Sequence, residues 1–392
     1  MRAFAGGYYS NLQAMYDHLG VSYHSQPFLF EFAKATDNES PNPPCDGSPY
    51  FIHSSNNHIF PPIRPSSMSI PEHIVEMIYL LLCYTWYTLC CLVVSPRHSA
   101  DGRLCETFME YLERLRIPRY FVDCYLVPLM SAVTTCSHKA VLRFPANDLV
   151  EYKRKTHNQP HFTVSKGVQE VQEMLAQSLN VQLRSKVYEV GESGAGISVR
   201  WVESGNSGSE SKERIFDKVI FAVPPNVVGG IFAPLSPMMT RIPTIQVKNV
   251  VTKSIGLQGA EKKPTKSQRI RLLNRFDGEG WTQSDHEQTS GLIVTTCPLK
   301  EPAQANKLHS ATFTRVLRTP ESRDVVNSIF DCKKSHAPPP VKTWRNGDGG
   351  IWLVGGWCWD GMVLLEGCIS SAMRVADSLD VDIPWSDRVR PL

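Results

Sequence analysis

The chain has 392 residues, 42% hydrophobic and 20% charged, the balance of a globular protein with room for two domains or one two-lobed enzyme. Its 41 basic and 38 acidic residues leave a net charge of +3 and no basic stripe, which argues against nucleic acid as a partner. The 11 cysteines are scattered without a CxxC pair, so a structural zinc site is not expected and free thiols in a reducing compartment are.

Residues 1–33 read as folded. Leu12, Met15, Tyr16 and Leu19 form an amphipathic pattern that Gly20 stops, and Val21 to Ala33 reads as extended around Pro27. Residues 34–72 are rich in Pro, Ser and Asn and are expected to be a long loop or insert, with His53 and His58 as loop histidines rather than metal ligands. Residues 77–94 then run without a charge, near the lower limit for crossing a bilayer. Two readings stand: a helix that contacts or spans a membrane, and a buried helix beside a lipophilic pocket. Trp86 and the tyrosines lie inside the run rather than at its ends, and the surrounding soluble pattern favours the buried helix.

Residues 104–156 read as helical, with an amphipathic stretch from Thr107 to Leu115 and an apolar one from Tyr120 to Val133. Val168 to Leu179 is a further helix. Strands are expected at 181–184, 187–190, 197–202, 217–223, 293–296 and 311–317, with a polar hairpin loop at 204–213. Residues 257–290 are charged and glycine-spotted and read as a surface insert.

The most informative segment is Gly355-Gly356-Trp357-Cys358-Trp359-Asp360-Gly361-Met362-Val363-Leu364-Leu365-Glu366-Gly367-Cys368. The apolar strand Ile351 to Val354 precedes it, and a helix is expected to open near Met362, with Asp360 as one candidate cap. Strand, glycine turn and helix start together let backbone N–H groups approach an electron-rich ligand. Two further segments accompany it: His161 to Val187, with a glycine, a helix and a strand, and Phe216-Asp217-Lys218-Val219-Ile220-Phe221-Ala222-Val223-Pro224-Pro225.

In order and spacing these three segments resemble the flavin-containing amine oxidase-like proteins and related desaturases. Arg2 to Gly20, Tyr125 to Leu129 and Phe144 to Ala146 extend the resemblance over most of the chain. It implies an α/β fold with an α+β substrate lobe: a two-lobed FAD/NAD(P)-binding flavoprotein with FAD as cofactor. The FAD-binding lobe would draw on 1–33, 157–235 and 346–380, and the substrate lobe on 73–156 and 236–345. The resemblance places Val187 beside the adenine, and Gly355, Gly356, Trp359, Gly361, Met362 and Glu366 around the remainder of the cofactor. Gly6 and Gly7 fall in a flavin-facing turn.

Two departures qualify the match. The family opens on a βαβ unit with GxGxxG. Nothing like it precedes Arg2, so the fold is expected to be N-terminally truncated; Gly191, Gly194 and Gly196 read as a hairpin turn instead. Amine oxidases also carry an aromatic residue where Leu364 stands; Trp357 and Trp359 are the alternative source of aromatic surface, and the apolar run at 77–94 with Leu364 points to a lipophilic substrate. Cys358, Lys248 and Lys253 are secondary candidates near the flavin, and for each the structural reading, a small buried thiol or surface lysines at strand ends, is the commoner one. The expected function is FAD-dependent oxidation or desaturation of a lipophilic or amine-bearing molecule. The rival is a non-catalytic remnant that does not hold FAD. The expected location is cytoplasmic or membrane-associated through 77–94, and not secreted.

Overall fold

The computed structural model describes residues 3–35, 47–55, 62–100, 104–203, 210–253, 267–288, 290–330 and 344–386. β1 (Phe4–Ala5) turns through Gly6 and Gly7 into α1 (Ser10–Leu19), followed by β2 (Tyr23–Ser25), β3 (Phe28–Lys34) and β4 (Pro49–Ser55). A helical stretch follows: α2 (Ile70–Val93), α3 (Phe108–Arg114), α4 (Arg119–Phe121), a π-helical turn (Val122–Leu126), α5 (Val127–Thr134), α6 (His138–Leu142) and α7 (Ala146–Thr156). Next come β5 (His161–Val164), α8 (Val168–Ala176), β6 (Ser185–Ser193), β7 (Gly196–Glu203), β8 (Ser211–Phe216) and β9 (Val219–Phe221). Then α9 (Pro225–Ile231) and α10 (Ser236–Met239) lead to β10 (Thr244–Lys253), β11 (Gln268–Arg275), β12 (Trp281–Glu287), β13 (Leu292–Thr296) and β14 (Lys307–Val316). α11 (Pro320–Phe330), β15 (Ile351–Leu353) and α12 (Leu365–Ser378) complete the described chain.

Local chemistry sets several of these boundaries. Gly20 ends α1 at φ +71°, returning its N–H to the Tyr16 carbonyl. Ser69 and Glu72 form a reciprocal capping box at the start of α2, and Thr107 and Glu110 do the same for α3. Among the described residues the strands form four sheets: β1-β5-β2, β14-β10-β13-β12-β11-β3-β4, β15-β9 and β6-β7-β8. In the large sheet β3 and β11 run parallel and the other pairs antiparallel. β9 and β15 are also parallel, with Ile351 opposite Val219 and Leu353 opposite Phe221.

The apolar residues gather in two clusters. One collects α1, the inner face of α2, α3 and α7, with Trp359, Met362 and Leu364. The other collects β9, α9, α11 and β15, with Trp357 and Cys358. The glycine- and tryptophan-rich turn therefore runs from one core into the other. The result is a mixed α/β fold.

Several sequence expectations need correction. Residues 34–72 are not all loop: β4 pairs with β3, placing Phe51 opposite Phe32 and His53 opposite Phe30. His58 lies outside the described residues. Pro49 opens β4 at the edge of the sheet, where a missing N–H is tolerated, so the Pro-rich composition hid a strand. The charged segment 257–290 supplies β11 and β12, both inside the large sheet; its residues 257–266 and 289 lie outside the described residues. Leu272 is buried there while Arg269 points out to Glu31 at 3.1 Å. Residues 181–184 form no strand, because Arg184 takes a left-handed φ of 58° that breaks extension, and β6 starts at Ser185. The helix after the glycine turn opens at Leu365, not Met362. α2 starts earlier than expected and is not a buried helix; only 28% of its most apolar window is covered.

Candidate functional site

β9 and β15 end side by side, and the chain leaves β15 through Val354, whose N–H donates to the Phe221 carbonyl at 2.9 Å. Parallel strand ends of this kind are where open α/β sheets take ligands. Gly355 follows at φ +141°, its N–H donating to Ser371 Oγ at 2.9 Å. A Cβ at Gly355 would meet nothing closer than the Trp357 ring at 3.5 Å. A Cβ at Gly356 would fall 2.9 Å from the Leu364 carbonyl, so that glycine lets the turn fold onto the start of α12. Trp357 ties the turn to the segment leaving β9 by donating Nε1–H to the Val223 carbonyl at 3.1 Å.

Beyond Gly356 the space is filled by the chain itself. The Trp359 indole lies on Gly361 and Gly367, where Cβ atoms would come within 2.6 and 2.3 Å of its ring. Its Nε1–H donates to the Met362 carbonyl at 2.9 Å. The Met362 N–H in turn donates to Tyr8 Oη at 3.2 Å. Tyr8 stacks edge-on with Tyr9, Tyr152 and Trp359, at centroid distances of 5.3, 4.9 and 6.0 Å. Burial, reinforced by the Asp148 charge, pushes the Tyr8 phenol well above its usual range, so it stays protonated.

Glu366 has no exposed surface. Its Oε1 accepts from the Asn11 N–H at 2.9 Å and from Asn11 Nδ2 at 2.7 Å, and its Oε2 accepts from the Leu12 N–H at 3.1 Å. α1 has no side-chain cap of its own, so this carboxylate caps it from another helix. Burial raises the Glu366 carboxyl above the usual range, and the hydrogen bonds from Asn11 and Leu12 oppose that shift. Gly7 sits at φ +75°, where a Cβ would strike the Lys155 carbonyl at 2.2 Å, and a Cβ on Gly6 would press on Gln159 and Phe162 at 3.3 Å. Both glycines let the β1–α1 turn approach the end of α7. Val187 lies on β6 opposite Trp201 and packs against the core that holds Trp357 and Cys358.

A buried charge cluster holds the turn from below. Arg318 Nη2 donates to the carbonyls of Trp357, Trp359 and Gly361 at 3.3, 2.9 and 3.0 Å. Arg323 Nη2 donates to the Asp360 carbonyl at 2.8 Å. Asp148, on α7, faces both guanidiniums at 3.8 and 3.4 Å. Burial lowers the Arg318 pKa and Asp148 opposes the shift. Arg315 is a further mostly buried cation, donating from Nε to Thr135 Oγ1 at 2.6 Å. Sequence reading missed Arg318, Arg323, Asp148 and Tyr8; the only hint was Tyr8 directly after Gly6-Gly7. Of the secondary candidates, Lys248 is ion-paired with Glu301, Lys253 ends β10 exposed, Asp360 faces Arg374 at 3.8 Å, and Cys358 is buried.

Against a flavin dinucleotide the segment divides in two. The ends of β9 and β15, where a Cβ on Gly355 would meet only the Trp357 ring at contact distance, fit the approach of a bound cofactor. Gly361, Met362, Trp359 and Glu366 are engaged within the chain and shape the turn. Among the described residues no cluster of His, Cys, Asp and Glu could hold a metal ion.

Residues 99–254 match the model of the family described as flavin containing amine oxidoreductases, which supports an amine oxidase-like family and, with it, FAD as the cofactor. Of the candidate cofactor residues only Val187 falls inside the matched span; Asp148 does too. No curated protein matches the chain.

Proposed function

We propose that this amine oxidase-like chain is a flavin-dependent oxidoreductase that oxidises or desaturates a small lipophilic molecule. When bound, the flavin supplies a two-electron acceptor for a hydride leaving a substrate C–H bond. Gly355 and Gly356 would face the cofactor with their backbone, and Val187 would meet the adenine. Trp359, Gly361, Met362, Glu366, Gly6 and Gly7 would act one step back, fixing the turn and its neighbours. Tyr8, Tyr9 and Tyr152 would help exclude water beside that turn.

The observation that carries this reading is a glycine turn at two parallel strand ends, braced from below by Arg318 and Arg323. Arg318 and Arg323 face Asp148 beneath the turn and donate to the turn's carbonyls, Asp360 on the turn faces Arg374, and Glu366 is hydrogen-bonded to α1. Leu364, where the resemblance would place a cage aromatic, is 8% exposed and packs in the core with Trp359 and Met362, which argues against an amine cage.

The test is a visible absorbance spectrum of the purified chain after incubation with FAD and gel filtration. A retained flavin band is expected. Anaerobic bleaching should then be faster with neutral lipophilic compounds than with alkylamines. A colourless protein would overturn the flavoenzyme reading for this chain, and preferential bleaching by amines would overturn the substrate class.

A further inference from the structure

Arg315, on β14, differs from Arg318 and Arg323 in having no acid to face. Those two are sealed, at 2% and 5% exposed, and share Asp148. Arg315 keeps part of its surface open and pairs with no carboxylate among the described residues. Its Nε donates to Thr135 Oγ1 at 2.6 Å, and its two Nη groups have no hydrogen-bond partner among the described residues. The ionisable groups that act on it are Cys297, Cys136, Tyr9 and Cys368. Burial keeps all four protonated at neutral pH: Cys297 is pushed up to about 11, Cys136 to about 12, and Cys368 and Tyr9 are raised. The guanidinium therefore sits in a largely desolvated place with no counter-charge, which is costly unless an anion completes it.

The cation is also aimed. Thr135 caps α5 at φ 54° and ψ 48°, a left-handed conformation that a β-branched residue rarely takes. Its hydroxyl donates to the Thr134 carbonyl at 2.8 Å, which leaves its oxygen to accept from Arg315. The Phe313 ring, on the same face of β14, lies 5.3 Å from the guanidinium carbon. Cys297, at φ 53°, is a second left-handed non-glycine residue beside this cation. Strain of this kind gathers at ligand clamps. With Nε held by Thr135, the Nη pair is presented as a fork of the geometry that a carboxylate matches.

The fork lies close to the glycine turn. Arg315 acts on Cys368, whose Sγ receives the Gly356 N–H and would lie 3.5 Å from a Cβ on that glycine. Ile245, opposite Arg315 on β10, and Leu317 pack against the apolar core that holds Tyr9. We infer that Arg315 binds the carboxylate of the substrate, so that the molecule oxidised is a lipophilic acid, held by its charged end on the Nη fork with its apolar body against the neighbouring core. This rests on the flavin reading of the adjacent turn and narrows the substrate class. One cation among thiols and apolar side chains suits a single carboxylate; a pyrophosphate needs several donors together.

The experiment is calorimetric titration of the full chain, with and without FAD, with 4-phenylbutyrate, 4-phenylbutanol and 4-phenylbutylamine. The acid is expected to bind tightest and the amine weakest. Arg315→Gln should weaken the acid by roughly tenfold or more and leave the alcohol within about twofold. Arg315→Lys should recover part of that loss. Thr135→Val keeps the side-chain shape and removes the acceptor, so it should weaken the acid alone. A purely structural Arg315 would move the acid and the alcohol together, and that result would overturn the proposal. Equal affinity for acid and alcohol in the unaltered chain would do the same. So would an Arg315→Gln chain that keeps its acid preference but no longer retains FAD, because the cation would then serve the cofactor's phosphates. A colourless chain that still selects the acid through Arg315 would sink the flavin reading and leave the carboxylate site standing.

Discussion

Glu366 shows how much a single buried group does in this fold. It takes three hydrogen bonds at the start of α1, joining the chain's first helix to its last. Glu366→Gln turns one of those acceptors into a donor facing a backbone N–H. It should lower stability by about 1–3 kcal/mol in urea unfolding. His138 gives a pH-dependent counterpart. It is 8% exposed, bonded through Nε2 to Thr282 Oγ1 at 2.8 Å, and burial lowers its pKa from 6.5 to about 4. A lowered folded pKa means the unfolded chain binds the proton first. The stability held by neutral His138 is therefore present above pH 6.5 and lost as pH falls toward 4. Urea midpoints should fall over that window by an amount worth up to about 3 kcal/mol, and His138→Gln should flatten the fall. A midpoint that rises on acidification would contradict this sign.

The glycine turn and its neighbours can be tested at the scale of elements. Gly361→Ala would drive a Cβ into the Trp359 indole and should cost about 1–3 kcal/mol. Adding Trp359→Leu should recover part of that loss, and a coupling near zero in the double-mutant cycle would show that the indole does not lie on Gly361. Arg318→Met leaves three buried carbonyls without their donor and Asp148 with one guanidinium fewer. The expected cost is about 3–5 kcal/mol, with a red shift of tryptophan emission as Trp357 and Trp359 loosen. An unshifted spectrum and unchanged stability would mean that the turn stands without Arg318. Legibility differed between elements. α1, with its apolar spacing and Gly20 stop, was readable, and so were β9, β13 and the strand-to-glycine step at Gly355. β4 and β11 were not, because one is Pro-flanked at a sheet edge and the other alternates charged residues with buried ones such as Leu272.

For the whole molecule, stability rests on two apolar cores joined by the 357–364 turn, and the cysteines among the described residues are free thiols. Cys83, Cys90, Cys91, Cys105 and Cys136 are buried thiols, and burial pushes Cys91 up to about 11 and Cys136 to about 12. A thiol reagent should modify them at least about a hundredfold faster in denaturant than in the native protein, and added reductant should leave the melting temperature unchanged. The sequence by itself determined the mixed α/β class, the apolar run that became α2, and the glycine segment with its family resemblance. These are properties of neighbouring residues: periodicity, turn glycines and a strand-to-helix spacing all act within a few positions. Only the tertiary structure decided which face of α2 stays open, that Trp359 fills the space left by Gly361 and Gly367, and that Asp148, Arg318 and Arg323 converge beneath the turn. Those outcomes depend on contacts between residues far apart in the chain. A helix pattern records how apolar each side is, but not which side its distant neighbours will cover.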